Sequence, residues 1–295
     1  MKLSIRACTE EAGHAVVESA DGAAVGTLRW EENPGEAPLV HMELLPPYLG
    51  RGLSRFAGEA ALAFLREALP GDGYRAVVDA DDAQALRFCR MFGFEITDHR
   101  DGQFSLHRDE RPWVDATRLL DAGIYVYPED PPYSRTLFRT QAEIGWNISL
   151  LSMNVHTGTH IDAPLHLGHP GDTESWGLHR MNGRVQLLDW GAEGATAIRC
   201  PRVLVRNGGV GFSLADAQAM LAAGVTLLGT DALSVGTREE EKAVHELLLT
   251  SGVLLLENAA IEGLAVGFYE MRCLPLKLMG SDGAPVRVLL RKERA

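Results

Sequence analysis

Cysteine is scarce and scattered. The four thiols, Cys8, Cys89, Cys200 and Cys273, form no Cys-x-x-Cys pair. That excludes a disulfide scaffold and a cysteine-rich zinc site, and it fits a reducing cytoplasm. No run of about 18 apolar residues exists, so no membrane span is expected. The opening MKLSIRACTEE turns polar too soon for a signal peptide, and a cytoplasmic chain is expected. Positive charge is in short supply: 28 Lys and Arg against 40 Asp and Glu leave a net charge of −12. An acidic chain of this kind argues against nucleic acid or an anionic membrane as partner. There is no Gly-x-Ser-x-Gly elbow, so a serine triad has no support. Internal repeats and low-complexity tracts are also lacking. What remains is ordinary globular composition, 46% hydrophobic and 23% charged, which excludes a disordered or fibrous chain.

The 295 residues suffice for one large domain or two ordinary ones. The pattern favours two α/β units, 1–110 and 111–295. Residues 1–110 carry 11 basic and 19 acidic side chains, a net of −8, and the remainder a net of −4. In the first unit, Ala15–Glu18 and Ala23–Trp30 read as strands around an Asp21-Gly22 turn, a strong hairpin signal. Leu39–Leu45 and Ala76–Asp79 read as further strands, and Ile96–His107 supplies one or two more. Leu53–Leu69 has helical spacing and stops at Pro70-Gly71, and Ala83–Met91 is a helix closed by Gly93. The linker falls at Asp109–Pro112. Beyond it, short β runs are expected at Ile148–Val155, Val185–Leu188, Arg202–Val205, Thr226–Leu228, Val253–Glu257 and Val286–Leu290, with helices at Leu214–Ala223 and Arg238–Thr250.

The densest chemical signal is His156-Thr-Gly-Thr-His160-Ile-Asp162-Ala-Pro-Leu-His166. Three of the ten histidines fall in these eleven positions. Gly158 and Pro164 exclude a helix here, so the segment sits at a strand end and in the loop after it. In extended backbone, residues two and four apart converge on one side. Imidazole and carboxylate donors suit a divalent metal of the zinc or manganese type. A single loop histidine would read as a solvated polar group, but three with an aspartate read as ligands. His169 and His179, just downstream, read as solvated. Glu257 follows four apolar residues, where a buried carboxylate is costly unless it is paired or bound to metal.

This motif, HxGTHxDxPxH, resembles the signature of the metal-dependent cyclase family, which includes kynurenine formamidases and isatin hydrolases; seven fixed identities agree over eleven positions. The resemblance continues through Tyr127–Tyr133 (YPEDPPY), Gly229–Val235 (GTDALSV), His245–Glu257 and Asp282–Arg287 (DGAPVR). It implies a swivelling β/β/α domain at 111–295. By resemblance, His156, His160, Asp162 and Glu257 hold one metal, and Asp162, Glu257 and His245 hold or share a second, so one or two ions of zinc or manganese are expected. His166 is implied as the catalytic acid/base. The implied reaction is hydrolysis of an amide, formamide or lactam, with a cyclase or dehydratase at the same metal site as the alternative. Tyr127 and Asn207 are implied at the small-molecule substrate, and at least a homodimer is expected. Two departures bear on specificity. Asn207-Gly-Gly209 stands where the family has Thr-Gly-Trp, and Gly236 stands where it usually has Asp. They shift the expectation from N-formylkynurenine towards another aryl amide, a lactam or a specialised-metabolite intermediate.

In the first unit, Val40–Ser54 (VHMELLPPYLGRGLS) and Ala85–Phe94 (ALRFCRMFGF) resemble GCN5-related N-acetyltransferases. Such a Gly-rich loop opening a helix binds pyrophosphate through free N–H groups. The resemblance implies acyl-CoA at Gly50, Arg51 and Gly52, and with it a CoA-dependent N-acyltransferase as a further alternative. The departures are Leu49 and Ser54 in the loop, Asp82 for the family's Asn, and Cys89 for the Tyr that often protonates the leaving thiolate. A degenerate domain, used for packing, dimer contacts or covering the hydrolase pocket, stands beside acyl-CoA binding as the other reading.

Overall fold

The computed structural model describes residues 3–8, 12–49 and 53–293. The chain divides into two compact units, Met1–Pro112 and Trp113–Ala295.

In the first unit the order is β1 (Leu3–Ala7), β2 (His14–Ser19), β3 (Ala24–Glu31), β4 (Leu39–Leu44), α1 (Ser54–Ala68), β5 (Gly73–Asp79), α2 (Ala83–Met91), β6 (Glu95–Arg100) and β7 (Gln103–Asp109). The strands form one sheet in the order β1-β2-β3-β4-β5-β7-β6. Pattern reading missed β1, which is short and follows directly on the chain start. Helix α1 turns Ala57, Ala61, Leu62 and Leu65 inward, an i, i+4 stripe that packs on the sheet. Gly58 lets the Phe92 ring approach, since a Cβ there would lie 2.3 Å from it. Helix α2 begins where the Asp82 side chain accepts from the Ala85 N–H at 2.8 Å. The sheet opens between β4 and β5, which register only at Leu39 and Arg75. An apolar cavity of about 210 Å³ lies alongside, bordered by Phe88, Cys89, Phe92 and Phe94. Gly50, Arg51 and Gly52 lie outside the described residues.

The second unit contains β8 (Val114–Asp115), β9 (Ser134–Arg139), α3 (Gln141–Ile144), β10 (Ile148–Ser152), β11 (His160–Asp162), α4 (Leu178–Met181), β12 (Gly183–Asp189), β13 (Arg202–Arg206), α5 (Leu214–Ala222), β14 (Leu227–Thr230), α6 (Glu241–Thr250), β15 (Leu254–Glu257), β16 (Gly267–Pro275) and β17 (Gly283–Lys292). Seven strands close on themselves in the order β11-β15-β14-β13-β12-β16-β17, because β11 pairs with both β15 and β17. Strand β8 continues the edge of β17 beyond β11. Strands β12 to β15 are parallel, and their near-continuous apolar runs are what a strand buried on both faces requires. Leu187, Leu204, Leu227, Leu228, Leu254, Leu255 and Leu256 are all essentially inaccessible. Helix α5 starts with a Ser213–Asp216 capping box. Helix α6 turns Val244, His245, Leu248 and Leu249 inward. Strands β9 and β10 form a separate two-stranded ribbon. No described helix is long and apolar enough to cross a membrane.

Candidate metal centre

The site begins with strand alternation. In β11, Ile161 points into the core, so His160 and Asp162 share the opposite face. The register places Glu257, the last residue of β15, directly across from His160. Paired residues share a face, so the carboxylate joins the imidazole. Helix α6 then lays His245 over both. Its Nε2 is 3.2 Å from Glu257 Oε1 and 3.4 Å from Asp162 Oδ2. His160 Nε2 lies 3.2 Å from Glu257 Oε2 and 3.4 Å from Asp162 Oδ1.

Local backbone sets the tautomers. His160 Nδ1 is 2.9 Å from the Gly158 carbonyl, and His245 Nδ1 is 2.8 Å from the Glu241 carbonyl one helical turn earlier. A carbonyl only accepts, so each Nδ1 carries a proton and each Nε2 is turned to the cluster. This is how imidazoles are oriented to ligate a metal. Val235 N–H donates to Glu257 Oε1 at 2.8 Å, and Trp176 Nε1–H donates to the Asp162 carbonyl at 3.0 Å. The motif's own backbone is held by Thr159, whose hydroxyl donates to the Asn258 carbonyl at 2.7 Å.

A second layer adjoins the first. His156 places Nδ1 2.9 Å from Asp162 Oδ1 and Nε2 2.9 Å from Asp282 Oδ2. His166 Nδ1 lies 3.7 Å from the same Asp282 oxygen, and its side chain is one-third exposed at the pocket. Asp282 was not foreseen as a site residue. It was legible only as the start of a strand segment, and it lies 126 positions after His156. Gly283 beside it leaves room for the ring, since a Cβ there would lie 2.6 Å from the His156 ring.

Two atoms test whether this set suits a metal. His160 Nε2 and Asp162 Oδ2 are fully buried and make no hydrogen bond. A buried polar atom left unpaired costs about 1–3 kcal/mol, so paired orphans of complementary donor type fit a cation between them. Ligand atoms lie within 4.8 Å of one another in three overlapping groups: His156-His160-Asp162, Asp162-His166-His245 and His156-His166-Asp282. The electrostatics agree. Burial lowers the His160 and His245 pKa values, but Asp162 and Glu257 outweigh it and raise them to about 10 and about 11. Burial opposes ionisation of both carboxylates, yet the surrounding imidazoles hold Asp162 well below its ordinary value and Glu257 below its own. The pocket demands positive charge, and a divalent ion meets that demand.

The opening is a cavity of about 280 Å³ bordered by Tyr125, Tyr127, Asp130, His166, Leu233 and Ser234. The Tyr127 hydroxyl donates to Glu241 at 2.5 Å. An adjoining cavity of about 570 Å³ shares Tyr127, Ser234 and Glu241 and reaches Gly209–Gly211 and Arg238. Tyr127 is therefore at the site. Asn207 is not beside the imidazoles. Its amide N–H₂ is turned to the Gly211 carbonyl at 3.4 Å, and its backbone N–H donates to Asp231 at 3.0 Å. His169 is occupied by Glu246 at 2.8 Å.

Comparison with known proteins assigns the two units separately. The Putative cyclase family profile matches residues 114–204, and the Acetyltransferase (GNAT) family profile matches residues 2–94. A kynurenine formamidase of Bacillus cytotoxicus is 31% identical over 202 residues, covering 61% of this chain and 97% of that protein. A solved structure described as a predicted metal-dependent hydrolase from Bacillus stearothermophilus matches with 28% identity and a TM-score of 0.54, over 62% of this chain and 98% of that one. Isatin hydrolase A from Labrenzia aggregata shares the fold, at 20% identity and a TM-score of 0.51, over 62% of this chain and 94% of that one.

Proposed function

The chain belongs to the cyclase family, with a GNAT acetyltransferase-family domain ahead of the cyclase domain, and from that premise we propose that it is a metal-dependent hydrolase cleaving the C–N bond of an aryl formamide or a lactam. The observation that carries this reading is the inward-facing pair of buried, unpartnered ligand atoms on His160 and Asp162, next to an accessible His166. His156, His160, Asp162, His245 and Glu257 would hold zinc or manganese, one ion or two. When bound, such an ion polarises a carbonyl and lowers the pKa of water towards ~7.

The protein's own groups do the rest. His166 Nδ1 faces Asp282, which leaves the other ring nitrogen for the substrate. That nitrogen accepts a proton as water adds to the carbonyl carbon. It returns the proton to the amide nitrogen as the C–N bond breaks, leaving an acid and an amine. Asp282 orients the ring during the transfer. Tyr125 and Tyr127 offer flat apolar surface at the cavity mouth, which suits an aryl group. Asn207 acts at the far end, through the Gly211 carbonyl that borders the adjoining cavity. The free cysteines suit a cytoplasmic setting.

The experiment is metal quantification paired with assays on wild type and His160→Ala, before and after chelation. One or two divalent ions per chain, lost in the variant together with chelator-sensitive cleavage of aryl formamides or lactams, are expected. Metal bound with a ring-closed product formed, and no net water consumed, would replace hydrolysis by the cyclase reading. A folded protein that binds no metal would refute the proposal.

A further inference from the structure

The cavity at the candidate ligands has a larger neighbour. The inner space, about 280 Å³, and the outer one, about 570 Å³, are bordered in common by Tyr127, Leu233, Ser234 and Glu241. The inner space alone lies at the lower end of the usual range for small-molecule pockets, about 300–1,000 Å³, and the two together fall well inside it.

The outer space is preformed by backbone. Gly209 borders it with φ +75°, and a Cβ added there would meet no atom within 4 Å. That φ disfavours any side chain, so this part of the wall stays bare. Gly236, on the same border, is packed instead: an added Cβ would lie 2.5 Å from Glu241 Cα. The close approach seats the start of α6, and Glu241 then holds groups on two sides. Its carbonyl accepts the His245 Nδ1–H at 2.8 Å, and its carboxylate accepts the Tyr127 hydroxyl at 2.5 Å. The Tyr127 ring is thus fixed in the shared wall by the same helical turn that orients His245.

We propose that the two cavities form one bipartite substrate site and that the substrate is an aryl amide carrying a second, uncharged ring, which rests on the hydrolase reading for the position of the scissile C–N bond. The reacting amide takes the inner space. The second ring extends past Tyr127 into the outer one, where Pro128, Val210 and Leu233 supply apolar surface and Thr237 a hydroxyl. Charge limits what that ring can carry. Glu129, Glu239 and Glu241 border the outer space against the single Arg238, and neither Glu129 nor Glu239 has an ion pair among the described residues. A carboxylate on the extension would meet an excess of negative charge, and such repulsion selects against it.

The test uses the metal-bound full chain and three probes: formanilide, its analogue with a second phenyl ring, and that analogue bearing a carboxylate on the second ring. The readouts are kcat/KM for the formamides and calorimetric Kd for the corresponding amines. The second ring is expected to improve both at least about 10-fold, and the carboxylate to cancel the gain. Val210→Trp, which places an indole in the outer space, is expected to cut the gain to less than about twofold with unchanged circular dichroism. Val266→Trp, at an exposed residue that borders neither cavity, is expected to retain it. Formanilides of both sizes cleaved equally well would overturn the bipartite site and leave the hydrolase reading standing. No cleavage, with the two-ring amine still bound at least about 10-fold more tightly by wild type than by Val210→Trp, would overturn the hydrolase reading and uphold the outer site. Equal affinity for one-ring and two-ring amines, a gain that Val210→Trp leaves untouched, or a gain that survives the carboxylate would each overturn the proposal.

Discussion

Gly283→Ala is the substitution whose consequence follows most directly from the geometry. The new Cβ would lie 2.6 Å from His156 Cε1, 3.0 Å from His156 Nδ1 and 3.0 Å from the Ile161 carbonyl oxygen. Unstrained carbon contacts lie at about 3.5–4.0 Å, so the imidazole must retreat by roughly 1 Å. The Ile161 carbonyl cannot make room, because it belongs to the β11 ladder between β15 and β17. Retreat lengthens both His156 contacts, 2.9 Å to Asp162 and 2.9 Å to Asp282. Overpacking of this size costs about 1–3 kcal/mol of stability. A 1 Å displacement at a site costs on the order of 100-fold in rate. The assay combines denaturant unfolding, metal content and kcat/KM on the proteolytically intact chain. Gly263→Ala, where no atom lies within 4 Å of the added Cβ, is the control and is expected within about 0.5 kcal/mol of wild type. A Gly283→Ala protein with wild-type metal content and turnover would refute the role given to His156 and its packing against β17.

Other outcomes follow from the same contacts. His166→Gln should retain bound metal while kcat falls at least about 100-fold, because it removes the proton carrier and leaves the buried ligands in place; loss of metal in that variant would make His166 a ligand. Tyr127→Phe keeps the ring and loses the hydrogen bond to Glu241, so KM should change by less than about threefold, whereas Tyr127→Ala should raise it about tenfold; equal effects would remove the aromatic ring from the substrate contact. In the first unit, burial raises the Glu110 pKa, but Arg66 and Arg108 outweigh it and hold the carboxyl below its ordinary value. Glu110 therefore stabilises the fold above its unfolded pKa near ~4.3, and that contribution is lost as pH falls through the lower folded value. Unfolding midpoints measured across the acid range should drop less steeply in Glu110→Gln than in wild type, and parallel curves would deny the linkage.

Local pattern alone carried much of the fold. The Asp21-Gly22 turn placed the β2–β3 hairpin, because that dipeptide tolerates positive φ where other residues do not. Helix α2 was readable from Ala83 to Met91, closed by Gly93, while its Asp82 cap came from the structure. The apolar runs around Val203, Leu228 and Leu255 declared buried strands, and the packing of His156, His160, Asp162 and His166 into eleven residues declared ligand chemistry. All of these are signals between residues close in the chain. Strand β16 was legible but unread: Tyr269, Met271 and Cys273 are buried in alternation with Glu270 and Arg272, the period of a one-faced strand, and its place in the barrel comes from pairing with β12 and β17. Strand β9 escaped notice, since Ser134–Arg139 has no covered face to impose alternation.

The sequence by itself determined which residue types are available and which short segments are extended or helical, because those depend on neighbours a few positions away. The tertiary structure decided what meets what. Closure of the barrel through β11 sets Glu257 against His160, 97 positions apart in sequence, and brings Asp282 to His156. Burial in that closed sheet then leaves His160 Nε2 and Asp162 Oδ2 each enclosed without a hydrogen bond. No spacing rule encodes that arrangement, because it depends on strand order and register, which only the folded chain possesses.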